Sequence, residues 1–148
     1  MPHFGLMNES ALGPSEGPLQ RARLHIRGGR RRLRQGKISA GLVTLYDALE
    51  GAMNSYLADP RKGFRVTFVD GEDRNNTVVL YNAFVRSGVL DGALDFPAFD
   101  RLVEKALNQE MSDYDYHHVL KEIESVMTQL GVMPFEESSL PPEDPATF

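Results

Sequence analysis

Cysteine and tryptophan are both missing from this chain of 148 residues. Without cysteine there is no disulfide, no thiol nucleophile and no thiolate zinc site, so a metal would have to be held by His, Asp or Glu. Long apolar runs are missing too: nothing approaches the roughly 20 apolar residues of a membrane-spanning helix. The opening MPHFGLMNESALGPSEG lacks the charged-then-apolar layout of a signal peptide. The chain is therefore expected to be soluble and cytoplasmic, with no membrane partner. A phosphate-binding Gly loop, HExxH, GxSxG and a dinucleotide fingerprint are all absent. Asp70, Glu72 and Asp73 suggest a calcium loop only superficially. Arg74 stands at its fifth position, Asn75 replaces the turn glycine, and Tyr81 occupies the place of the bidentate Glu. No cofactor is expected.

What is abundant is arginine, and in one place. RARLHIRGGRRRLRQGK, residues 21–37, carries eight basic residues and no acid; residues 1–37 sum to +8 and −2, residues 38–148 to +8 and −19, which gives the net −5. Clustered Arg in an acidic chain suggests either a polyanion site or an intramolecular partner.

Length and 41% apolar content fit one domain with one core. Residues 1–17 mix Gly, Pro, Ser and Asn, and residues 134–148 (PFEESSLPPEDPATF) hold four Pro, four acids and no base. Both read as flexible tails around a helical domain at 18–133. Within it, Ile38, Leu42, Leu45, Leu49, Ala52 or Met53 and Tyr56 recur at helical steps, predicting a helix over Ser39 to Ala58 that Asp59-Pro60 ends. Ala22, Ile26, Gly29 and Leu33 predict a basic amphipathic helix over 18–35. Gly28 and Gly29 weaken it by about 2 kcal/mol against Ala, so Gly29 must face a close neighbour or the helix breaks there. Gln35-Gly36-Lys37 is a short turn, which makes these two helices an antiparallel hairpin.

Asp95 and Pro97 open a helix with Phe96, Phe99, Leu102 or Val103, Ala106 and Leu107 on its buried stripe. Ser112 or Asp113 can cap the last one, whose stripe of Tyr116, Val119 or Leu120, Ile123, Met127 and Leu130 runs to Gly131 and Pro134. In the middle, Phe64, Val66 and Phe68 alternate as in an extended piece. A helix over 76–88 capped by Asn75 or Asn76 is favoured over a hairpin headed by Asp70-Gly71. The predicted fold is an all-α bundle of about five helices.

The candidate binding residues lie along one face of the basic helix: Arg23, Arg27, Arg30, Arg31 and Arg34. Arg forks bind phosphate bidentately, yet the segment has no aromatic residue to stack on bases. Carboxylates of the chain itself, or of a partner, are the first expectation for those arginines. The acidic tail, with Glu136, Glu137, Glu143 and Asp144, is a candidate cover for them. The weak metal candidates are Asp113 and His117, four apart on a helix and in need of donors from elsewhere.

The hairpin over 22–55 is similar to one tetratricopeptide unit, with Gly29 at the helix-packing glycine, Gly36 near the turn, and Leu45 and Ala48 in the second helix. It departs from that repeat at Arg32, Gly41 and Met53, where Tyr, Ala and Pro are preferred. Helical bundles of this size also resemble the HEPN class, whose ribonucleases carry Arg, then four to six intervening residues, then His, a spacing that His25, His117 and His118 do not have. The leading expectation is a non-catalytic helical interaction module that docks a protein partner or a second copy through helix faces. Sequence-independent nucleic-acid binding through residues 21–37 is the alternative, and a hydrolytic or metal-dependent enzyme comes third.

Overall fold

The structure is a computed structural model that describes residues 9–148; of the segment 1–17 predicted as a tail, residues 1–8 lie outside the described residues. It is all-helical, and no strand occurs among the described residues. A single turn, α1 (Glu9–Leu12), precedes five longer helices: α2 (Glu16–Arg34), α3 (Ile38–Ala58), α4 (Thr77–Arg86), α5 (Phe96–Asn108) and α6 (His117–Gln129). No helix among the described residues is long and apolar enough to cross a membrane.

The helix ends follow from local chemistry. Asn76 accepts from the Val78 and Val79 amides and Asp95 from the Ala98 amide, so both side chains satisfy donors that a first turn leaves open. Gly36, Gly88 and Gly131, all with φ near +77°, close α2, α4 and α6 in the same way. The glycine amide bonds the carbonyl three residues back, and the next amide bonds the one five residues back, as in Lys37 to Arg32 O at 2.9 Å.

α3 is the central element. Leu42, Leu45, Leu49 and Met53 on it are fully buried, among Phe84 of α4, Phe96 and Phe99 of α5, and Ile123 and Met127 of α6. Around them the Tyr81 ring stacks on Phe96 at 4.9 Å, Tyr56 meets Phe84 edge-on at 5.5 Å, and the buried Tyr81 hydroxyl donates to the Leu94 carbonyl at 2.9 Å. Ser39 ties the start of α3 to the end of α5: its hydroxyl donates to Gln109 O at 2.7 Å and accepts from the Met111 amide at 2.9 Å.

α2 lies antiparallel on α3 in the largest helix–helix interface of the fold. The helix is continuous through Gly28-Gly29, and the second glycine sits against α3. A Cβ added at Gly29 would lie 3.0 Å from Leu45 Cδ2, and one at Gly41 would lie 2.6 Å from Leu33 Cδ2 and 3.3 Å from the Gly29 carbonyl oxygen. Farther along, a Cβ at Gly51 would lie 3.2 Å from the Pro18 carbonyl. Glycine is needed here for close approach of two backbones, and the packing offsets its low helix propensity.

Three local expectations are corrected. Phe64 to Val69 is not extended throughout: Gly63–Arg65 is a 3-10 turn, Phe64 is 73% exposed, and only Val66 of the alternating set is buried. The last helix begins at His117, because the Asp115 carboxylate accepts from the His117 amide at 3.1 Å and so opens the helix there in place of Ser112 or Asp113. Leu107, placed on the buried stripe of α5, is 68% exposed, since Val103 and Ala106 already complete that stripe.

Gly41→Val is expected to lower the unfolding free energy by about 2 to 3 kcal/mol, because the added atoms force Leu33 and the α2 backbone apart. Urea unfolding followed by circular dichroism measures it, and an unchanged midpoint would show that the seam has room.

Candidate functional site

The basic face of α2 is covered, and the cover is the chain's own segment 134–148. After α6 ends, Val132 is buried and the chain turns along α2 through two 3-10 turns, Glu137–Ser139 and Pro145–Thr147. Between the turns Leu140 (φ −83°, ψ 153°) and Asp144 (φ −74°, ψ 117°) are extended. Leu140, 8% exposed, packs with Leu24 and Phe135 in a small apolar cluster that Phe135 joins to the main core. The segment predicted from composition as a flexible tail thus has defined contacts over its length.

The predicted site residues meet it in order. Arg23 donates through Nε to the Val132 carbonyl at 3.1 Å, with its guanidinium 5.8 Å from the Phe135 ring centre. Arg27, 9% exposed, donates to the Pro141 carbonyl at 2.7 Å. Arg30 pairs with Glu124 of α6 and lies 3.8 Å from Glu137. Arg31 pairs through Nε with Glu143 at 3.1 Å, donates to the Thr147 carbonyl at 3.0 Å and lies 4.7 Å from the Phe148 ring centre. Arg32 reaches the same carbonyl at 3.5 Å, and burial, followed by the Arg31 charge, holds its guanidinium below the ordinary arginine value. Arg34 and Lys37 are exposed at the end of α2. The structure therefore brings Arg23, Arg27, Arg30 and Arg31 together against one segment and leaves Arg34 outside that contact.

The other end of the basic stretch is tied to α3. Arg21 grips Asp47 with Nε at 3.2 Å and Nη2 at 3.0 Å. The fully buried His25 places Nδ1 2.8 Å from the Arg21 carbonyl and Nε2 2.9 Å from Asp47 Oδ2. Each ring nitrogen thus lies beside an oxygen, one of the main chain and one of a carboxylate. Burial pushes the Asp47 carboxyl up, but the hydrogen bond and charge of His25, then Arg21, outweigh it and hold the group below the ordinary aspartate value. Sequence reasoning missed this group; its signal was Arg21 and His25 four apart on a helix that a carboxylate-bearing helix must face.

Beyond Asp47 a groove of about 360 Å³ opens between α3 and α5, lined by Tyr46, Glu50, Asp100 and Glu104 with Val43 and Val103. The Tyr46 hydroxyl donates to Asp100 at 2.9 Å and is pushed up to about 12, chiefly by burial. Burial, then the Asp47 charge, raises Glu50.

The weak metal candidates are not assembled: His117 Nδ1 lies 2.7 Å from Asp115, not paired with Asp113, and His118 pairs with Glu122. Among the described residues no group of three or more His, Asp or Glu side chains is placed to hold a metal ion. His25 and Asp47 form a dyad, but the ring nitrogen that would serve a nucleophile already faces the Arg21 carbonyl. No protein-family model, curated protein or solved structure matches the chain.

The two carboxylates of α3 carry opposite pH signatures. Asp47, depressed in the folded state, contributes stability above its unfolded value of 3.8 that disappears as pH falls through the lower folded value. Asp47→Asn should flatten the acid limb of a stability–pH profile below about pH 4 while lowering stability at pH 7. Glu50, raised in the folded state, opposes folding once both states are ionised, so Glu50→Gln should raise the urea midpoint at pH 7 and lose that advantage in acid. Profiles that leave the two variants parallel to the parent would refute both assignments.

Proposed function

We propose that the chain is a small non-catalytic helical interaction module, and that its docking surface is the arginine face of α2, shaped to hold an acidic, extended protein segment. One observation carries the reading. Arg23, Arg27 and Arg31, four residues apart on α2, each give an N–H to a main-chain carbonyl, of Val132, Pro141 and Thr147. Main-chain carbonyls belong to polypeptides, and their recognition is indifferent to side chain, so these contacts position a chain. Glu143 and the Leu24 socket then add selectivity.

The alternative, nucleic-acid binding through residues 21–37, draws on the exposed Arg34 and Lys37. Two phosphate contacts give log K a salt slope of only about −2, against the six to ten contacts of a strong backbone binder. That magnitude favours a protein partner.

Arg31→Ala and Arg27→Ala, made singly in the full chain, test the reading by amide hydrogen exchange. Exchange at Leu140 and Thr147 should quicken by about tenfold or more while helical content is kept. Unchanged exchange would mean that the arginines do not hold the segment and would sink the proposal. A labelled duplex titrated at about 50 mM salt decides the alternative, since micromolar binding lost by about 200 mM would favour nucleic acid.

A further inference from the structure

We infer that residues 134–148 are an intramolecular competitor, and that the α2 face takes, from another protein, an extended proline-rich segment with an apolar residue, an acid three positions on and an aromatic ring eight positions on. This inference rests on α2 being a docking surface and adds what docks there and how docking is controlled. The pattern is that of Leu140, Glu143 and Phe148, three of the side chains through which the cover meets α2.

Three features make the cover a ligand more than a part of the core. Its one buried apolar side chain, Leu140, clusters with Leu24 and is not a member of the main buried core, which the cover touches only through the partly buried Phe135. Its remaining anchors are polar or lie at the edge: Glu143 is half-buried, the buried Thr147 accepts from Arg31, and Phe148, 57% exposed, lies under the Arg31 guanidinium. Between its two 3-10 turns the backbone is extended, and Pro141 and Pro142 restrict it there. A segment so restricted loses little freedom on docking, the property that suits proline-rich peptides to groove recognition.

The reach of the cover supplies the control. Residues 134–148 follow directly from Val132, which is buried and whose carbonyl Arg23 holds, so the tether is short and the effective concentration of the cover at α2 is in the millimolar range. A partner in trans meets only the fraction of molecules with the cover released, and its apparent dissociation constant rises by the inverse of that fraction. A partner of the same pattern at two such faces, or one with a better apolar anchor than Leu140, outcompetes it.

The experiment uses the full chain in two forms, the parent and Leu140→Ser/Glu143→Lys, each titrated with a fluorescent peptide of sequence PFEESSLPPEDPATF. Anisotropy should show the substituted chain binding about tenfold tighter or more than the parent. Adding Arg31→Ala should abolish the gain, and a scrambled peptide of equal composition should bind weakly. Equal affinity for both chains would overturn competition while leaving α2 a docking surface. Equal binding of the scrambled peptide would overturn the pattern. Should Leu140→Ser disturb folding, judged by circular dichroism, Glu143→Lys/Phe148→Ala carries the same comparison without touching the apolar cluster. No binding by any folded, uncovered chain would end the inference, and the hydrogen-exchange result on the arginine variants would still decide the docking reading separately.

Discussion

The nearness of the α2 and α3 backbones governs what the rest of the molecule presents. With Gly29 against Leu45 and Gly41 against Leu33, α2 has one rotational setting about its axis. At about 100° per residue, that setting fixes where every other side chain of α2 points. Ala22, Ile26 and Leu33 go inward, Arg21 and His25 turn to Asp47, and Leu24 is left facing away from α3 with Arg23, Arg27, Arg30 and Arg31 around it. An apolar side chain ringed by arginines is thus a by-product of a glycine seam.

The energetics of the covered face divide between apolar contact and charge. Fully burying a leucine is worth about 1.5 to 3 kcal/mol, whereas a partly exposed ion pair is worth about 0 to 1. Leu140 in the Leu24 and Phe135 cluster therefore outweighs either ion pair, the arginine bonds to the Pro141 and Thr147 carbonyls hold the backbone, and the pairs of Arg30 with Glu137 and Arg31 with Glu143 set direction and register. Arg21 with Asp47 is a different case, because a bidentate grip reinforced by buried His25 is pre-organised on two rigid helices.

Much of the helical frame was legible because its signals are local. The stripe Leu42, Leu45, Leu49 and Met53, the caps Asn76 and Asp95, and the glycines ending α2 and α6 each act within a turn or two of chain. Gly29 was read as needing a close neighbour, and the neighbour is Leu45. The cover was legible only as acids that could answer the arginines, not as a segment with an apolar anchor and a defined path. Proline and acid dominate its composition, its anchor is the lone Leu140, and what fixes it lies more than a hundred residues earlier. Leu24 fell off the helical stripe for the same reason, being buried by that distant segment. The His25 and Asp47 pair required knowing the rotation of α2, which no spacing within either helix contains.

The order of these parts along the chain has a consequence for how the molecule comes into being. Arg27 and the Pro141 carbonyl it reaches are 114 residues apart, and at about 5 to 20 residues per second roughly 5 to 25 seconds of translation separate them. The α2/α3 hairpin, made of neighbouring stretches, is the first pair of long helices that can assemble as the nascent chain emerges. For that interval every newly made copy displays its cationic face bare, because the polypeptide that will shield it is synthesised only after the helices it covers.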